Sequence, residues 1–339
     1  MRAILAFRAE TTSRSPDMHA QQIHATVEQD FEAVDRLIKE QLSSRVPLVE
    51  HIGQYITESG GKRMRPLLVL LIANALGHSD AGHIKLATII EFLHTATLLH
   101  DDVVDTSDMR RGRSTANAKW GNAPSVLVGD FLYSRAFEMM VQLGSLPIMT
   151  ILSQATNIIA EGEVLQLANV RNPDLSEAQY IEVIRSKTAM LFQAASHSAA
   201  VLAGATPETE AELRDFGLYL GMAFQLVDDV LDYQGSAEEM GKNVGDDLAE
   251  GKTTLPLIYT LQNGTPAQQQ LVRQAIRQGG LDQLDSILAA VTDCGALAYT
   301  MEQAHNYVDK AEGCLRDLPD SEYRDALLAL ARLAVTRSK

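Results

Sequence analysis

EFLHTATLLHDDVVDTSDMRRG, residues 91–112, is the stretch on which the reading of the chain turns. An apolar helical run passes into a burst of acid and then into paired arginines. Asp101, Asp102 and Asp105 form a DDxxD box, and on a helix positions i and i+4 share a face, so Asp101 and Asp105 point the same way. Two carboxylates about 4 Å apart repel by roughly 4 kcal/mol at an effective dielectric of about 20. A cation between them relieves that repulsion, and an all-oxygen ligand set favours Mg²⁺ over zinc or a softer metal.

The box recurs. FQLVDDVLDY, residues 224–233, again ends an apolar helix with DDxxD: Asp228, Asp229 and Asp232. A solitary box is as well explained by a solvated acidic helix end. Two copies, each following an amphipathic run, fit two acid clusters facing one cavity and holding several Mg²⁺ ions against a diphosphate.

Composition sets the frame. The chain has 339 residues, 46% of them hydrophobic but only 5% aromatic, which favours helix-on-helix packing. No stretch alternates with period two over a useful length, so no sheet is expected. The net charge of 29 − 44 = −15 argues against nucleic acid as a partner while leaving room for a local basic pocket. Cys294 and Cys314 have neither metal spacing nor a disulfide framework, which fits a cytoplasmic setting. Residues 1–19 read as a disordered tail whose apolar part, Ala3 to Phe7, is too short for a signal sequence. The longest uncharged run, residues 188–206, carries Gln193, Ser196, His197 and Ser198 and reads as a buried helix, not a membrane span.

Helices are expected over about 20–58 as one or two pieces with Pro47 at a start, then 67–76, 81–105, 121–143, 147–169, 176–203 and 207–233. Ser176 with Gln179 is a capping box, with Leu175 placed to staple onto Tyr180. Thr206-Pro207 and Thr265-Pro266 are N-caps followed by proline at the first helical position. Ser59-Gly60-Gly61 breaks the chain before Lys62-Arg63-Met64-Arg65, where cations beside a glycine turn suit either phosphate or a solvated loop. His94 lies two turns before Asp101 on roughly the same face. Glu161 and Glu163 suit a cavity wall or a polar helix surface equally. Gly241, Gly245 and Gly251 suit a mobile lid. With no linker in sight, residues 20–339 read as one domain.

The strings GGKRMRP, EFLHTATLLHDDVVD, DMRRG, GDFLYSRAF, EGEVLQL, SKTA, FQLVDDVLDY and GKNVGDDLAEGKTTLP together resemble the trans-isoprenyl diphosphate synthases, the polyprenyl synthetase family. The resemblance runs from about residue 20 to the end and is strongest to the long-chain members. It implies an all-α bundle around a central cavity. It also implies a Mg²⁺-dependent prenyltransferase that condenses isopentenyl diphosphate onto an allylic diphosphate, such as farnesyl diphosphate, to an octaprenyl-type product for quinone side chains. Nonaprenyl or shorter products, or a non-catalytic subunit, are the alternatives.

Residue by residue, the resemblance gives the metal ions, up to three with substrate, to Asp101, Asp102, Asp105, Asp228, Asp229 and Asp232. It gives isopentenyl diphosphate to Lys62, Arg65, His94 and Arg111. The allylic diphosphate falls to Arg110, Lys187, Thr188, Gln225, Lys242 and Lys252, with Lys187 counted as catalytic. Asp246 and Asp247 become acids behind the metal ligands. Ala96 and Thr97 stand where short-chain members carry bulky aromatics, so product length is assigned to them. A homodimer is implied as well. Terpene cyclases share one box but do not need a second diphosphate site, and di-metal bundles need ExxH pairs that are missing here.

Overall fold

The computed structural model describes residues 18–234, 244–279 and 282–336. It is built of helices: α1 (Ala20–Ala25), α2 (Glu28–Gln41), α3 (Pro47–Thr57), α4 (Met64–Ala75), α5 (Gly82–Val104), α6 (Ala116–Trp120), α7 (Asn122–Leu143), α8 (Leu146–Ala168), α9 (Glu177–Ile184), α10 (Met190–Leu202), α11 (Pro207–Gln234), α12 (Asp246–Ala249), α13 (Leu255–Asn263), α14 (Pro266–Gln278), α15 (Leu284–Asp293), α16 (Ala296–Gly313) and α17 (Glu322–Thr336).

The expected start signals are in place. Pro47 opens α3. The Ser176 hydroxyl accepts from the Gln179 amide at 3.3 Å and Thr265 does the same for Gln268. The segment 20–58 holds three helices, not one or two, because the chain breaks at Thr26-Val27 and again between Gln41 and Pro47.

Burial sorts the helices into an inner and an outer set. In α4 every residue from Pro66 to Ala73 is buried, the mark of a helix surrounded on all sides. It packs against α5 and α10, and α10 in turn packs against α8 and α11. Gly217 on α11 allows the last of these contacts: a Cβ there would lie 2.7 Å from the Cβ of Ser196. The largest apolar cluster runs through α2, α4, α5, α7, α8, α10, α11 and α17. A second, made by α13 to α16 with Val230 and Tyr233, covers the C-terminal end of α11.

Two features depart from the expectations drawn from the sequence. The helix expected over 176–203 is interrupted: Arg185–Ala189 is one turn of π-helix between α9 and α10. And there is a minimal sheet, β1 (Met109–Arg110) paired antiparallel with β2 (Arg113–Ser114). Its connection has Arg111 at φ 52° and Gly112 at φ 73°, the positive pair that a tight type I′ hairpin requires. No helix among the described residues is long and apolar enough to cross a membrane.

Candidate active site

The inner helices enclose a cavity of about 780 Å³. Helix α5 presents His94, Thr97, Leu98 and Asp101 to it, with its C-cap Asp105, one face at three- and four-residue spacing. Helix α11 faces it with Phe224, Gln225, Asp228 and Asp229. The remaining walls come from the 59–65 turn (Gly61, Lys62, Arg65), the hairpin (Arg110, Arg111), α8 (Ile159, Glu163, Gln166), the π-turn (Lys187, Thr188) and the segment after α12 (Lys252, Thr253, Thr254), with Asp247 from α12 itself. Lys242 lies outside the described residues.

Two aspartates of the expected six leave the cavity wall. Asp102 is one residue, and so about 100°, from the Asp101 face. It is buried, with its carboxylate gripped by Arg110 (Nε 2.9 Å and Nη2 2.7 Å to Oδ1), and its main-chain oxygen accepts from Asn117 at 3.2 Å. Asp232 shares a face with Asp228 but sits one turn further on, where the chain around residues 245–247 covers it. Its carbonyl accepts from Gly245 at 2.9 Å and its Oδ2 from the Asp247 amide at 3.3 Å. Both carboxylates are bonded to other parts of the protein and neither lines the cavity. Asp247, expected behind the ligands, stands at the cavity instead.

Electrostatics divide the cavity into an acidic and a basic end. Burial and the nearby Asp105 raise the pKa of Asp101, against the pull of Lys187. Burial and Asp247 push Asp229 well above the ordinary carboxylate range, although Tyr180 and Gln225 both hydrogen-bond to it. Like-charged carboxylates held together in a buried, all-oxygen site fit a hard divalent cation. Among the described residues no three metal-ligating side chains already converge on one point. An ion there would be shared between one or two carboxylates and diphosphate oxygens, the usual manner of Mg²⁺.

Cations face these acids. The Lys187 ammonium is 2.7 Å from Glu163, 2.8 Å from Gln166 and 3.7 Å from Asp101. Its aim depends on the π-turn, which α8 can approach because residue 162 is glycine: a Cβ there would lie 2.9 Å from the Lys187 amide. Thr188 donates to Gln225, and Gln225 to Asp229, both at 2.8 Å. Lys252 reaches Asp105 at 2.9 Å and Glu250 at 2.5 Å. Burial disfavours its ammonium, but Glu250, Asp105 and Asp247 outweigh that and raise its pKa.

At the basic end, burial lowers Arg65 to about 10, which still leaves it charged at neutral pH. Its guanidinium stacks 4.2 Å from the centroid of the Phe192 ring, and it donates to His94 Nε2 at 3.2 Å. Burial, then Arg65 and Arg111, lower the His94 pKa, so the ring is neutral. Arg111, turned by the hairpin, donates to the Gly60 carbonyl.

Other residues of the cavity are ambiguous or silent in the sequence. Glu163 is settled as a cavity residue, while Glu161 is exposed and bonded to Asn157 at 2.9 Å. Gln166, three residues after Glu163, shares its face, a spacing that could have found it. Glu91 stands in the same relation to His94. Tyr180 was expected as a staple and is the buried partner of Asp229; no local pattern announces that. Of the pair assigned to product length, Thr97 lines the cavity, whereas Ala96 is fully buried in the core, off the wall. Four residues before Asp101 is the same helical face; five is not.

The polyprenyl synthetase family profile matches residues 46–292. Octaprenyl diphosphate synthase of Escherichia coli is 53% identical over 95% of this chain and all of its own length. All-trans-nonaprenyl-diphosphate synthase (geranyl-diphosphate specific) of Rhodobacter capsulatus is 50% identical over 94% of this chain and 98% of its own. Among solved structures, a polyprenyl synthase from Caulobacter crescentus, complexed with calcium and isoprenyl diphosphate, superposes with a TM-score of 0.92 at 43% identity, covering 96% of this chain and all of that one. With an all-α cavity whose opposed helices each carry an aspartate box, and with these relatives matched almost end to end, the chain belongs to the polyprenyl synthetase family.

Proposed function

We propose that the chain is a long-chain trans-polyprenyl diphosphate synthase of the octaprenyl type, extending an allylic diphosphate such as farnesyl diphosphate with isopentenyl diphosphate for quinone side chains. The observation that carries this reading is one cavity with an acidic end on α5 and α11 and a separate basic end on the 59–65 turn and the hairpin. Two diphosphates have to be held at once, one to be cleaved and one kept intact, and this division provides for both.

The allylic diphosphate lies toward Asp101, Asp105, Asp228 and Asp229, where Lys187, Lys252 and Arg110 surround it. Magnesium ions shared between these carboxylates and the diphosphate would take up the charge of the leaving group. Lys187 and Lys252 are held by Glu163, Asp105 and Glu250, so the positive charge is in position before substrate arrives. Lys62, Arg65, Arg111 and the neutral His94 hold isopentenyl diphosphate with its double bond toward the allylic carbon. The bond forms as the allylic C–O bond breaks, and a proton is lost to the departing diphosphate. Apolar walls at Ile159, Leu191 and Phe224 keep water from the cation.

Chromatography of the products from isopentenyl and farnesyl diphosphates tests the reading directly. An octaprenyl product is expected. A cyclised hydrocarbon, or no product in the presence of magnesium, would refute it.

A homodimer is part of the proposal. Helices α7 and α8, consecutive in the chain, leave Leu127, Val141, Leu146, Val164 and Leu167 exposed, each at 60–74%, and exposed apolar patches mark interaction surfaces. Sedimentation should give twice the chain mass, and Leu127→Glu with Val141→Glu should give a folded monomer. A wild-type monomer at micromolar concentration would exclude it. The same reading takes residues 20–339 as one unit in the cytoplasm, which limited proteolysis and cell fractionation check.

A further inference from the structure

A carboxylate stands where an anion is to bind. Glu91, on α5 one turn before His94, lines the basic end of the cavity and is only 7% exposed. Its charge lies among those of Arg63, Arg65 and Arg111, which oppose the rise in pKa that burial imposes on it. Its Oε2 is buried without a hydrogen-bond partner. By charge alone such a group weakens diphosphate binding.

Its neighbour explains it. Glu91 Oε1 is 3.5 Å from Nε of Arg63. The other end of that guanidinium is paired with Asp35 of α2. Arg63 is left-handed, at φ 45° and ψ 42°, and forms the N-cap of α4. A non-glycine residue in that region is disfavoured and persists where its surroundings hold it. Lys62 and Arg65 flank Arg63, so the direction in which each enters the cavity depends on this one backbone geometry.

We propose that Glu91 is a positioning residue for the isopentenyl diphosphate subsite. With Asp35 on the far side, it clamps Arg63, and the clamp fixes the left-handed turn that aims Lys62 and Arg65. This rests on the reading that Lys62, Arg65, His94 and Arg111 hold isopentenyl diphosphate. The two halves of the clamp come from helices that are not otherwise part of one motif, α2 and α5, so the N-terminal helices act on the site through Arg63.

The sign of one kinetic effect decides the matter. Glu91→Gln keeps the shape and removes the charge. As a clamp, its loss should raise KM for isopentenyl diphosphate about tenfold, the usual effect of losing a charge-assisted contact, with the allylic KM within about twofold and the melting temperature held. Asp35→Asn, at a half-exposed site that tolerates the change, should do the same to a smaller extent. In an Arg63→Leu background, Glu91→Gln should add nothing further. A lower isopentenyl KM in Glu91→Gln would show that only its charge acts, and an equal rise in both KM values would show a general structural role; either overturns the proposal. Arg65→Ala is the control. If it fails to raise the isopentenyl KM selectively, the subsite reading itself is wrong and the clamp falls with it. If it succeeds while Glu91→Gln and Asp35→Asn change nothing, the clamp alone is refuted.

Discussion

Alanine at Asp101 or at Asp228 is expected to lower turnover by about a thousand-fold or more, corresponding to roughly 4 kcal/mol of lost transition-state stabilisation. The two carboxylates stand on opposed helices at the acidic end of the cavity. Each would share a cation with the departing diphosphate, so losing either leaves developing negative charge unopposed. Helix content should not change, since neither side chain lies within an apolar cluster. Excess EDTA should abolish the wild-type reaction and added Mg²⁺ restore it; full activity in EDTA would end the metal reading.

The same experiment at the neighbouring aspartates should look different. Asp102 is locked to Arg110 inside the fold, and Asp232 anchors the chain at residues 245–247. Breaking a buried pair by removing one partner costs about 3–5 kcal/mol. Arg110 is partly exposed, which puts Asp102→Ala toward the lower end. Asp232→Ala loses the hydrogen bond from the Asp247 amide, about 1.5–3 kcal/mol, so a fall in melting temperature should precede any loss of chemistry at both positions. If Asp102→Ala were as stable as wild type yet inactive, Asp102 would have to be returned to the reacting groups.

These contrasts mark where sequence suffices and where it stops. Asp101 and Asp105 could be paired from their spacing because helical periodicity is local and Asp102 is off that face. Asp232 could not be separated from Asp228 in the same way. Periodicity puts them together, and only the covering segment around residues 245–247 moves Asp232 inside. The aim of Lys187 was equally hidden. It depends on a π-turn, an insertion that no residue pattern in Arg185–Ala189 signals, and on Gly162 in another helix. The helices themselves were legible because their caps are local chemistry, as at Ser176 and Thr265. Glu91 was passed over for a different reason. A lone acid in an apolar run reads as a surface residue until its partners, Arg63 and Arg65, are brought beside it by α4.

Product length tests the distinction between two adjacent residues. A growing chain needs an apolar path leading from Asp101, and one helical turn, about 5.4 Å, is comparable to one extended isoprene unit. Thr97 is one turn back on the cavity face, near a floor that includes Ile159, Leu191 and Phe224. Its side chain is small, and its hydroxyl is satisfied by the His94 carbonyl at 2.7 Å, so it leaves room and exposes little polarity to a prenyl tail. Thr97→Tyr should place a ring across that path and shift the product from octaprenyl toward geranylgeranyl or farnesyl diphosphate, with catalysis retained. Ala96→Tyr should behave otherwise. Ala96 is fully buried, and overpacking a core position costs about 1–3 kcal/mol, so a lower melting temperature is expected ahead of any clean shortening. Product chromatography beside thermal unfolding separates the two. If Thr97→Tyr is folded and active but still releases the long product, while Ala96→Tyr shortens it without loss of stability, the path runs behind α5 and the cavity seen here is not the route of the chain.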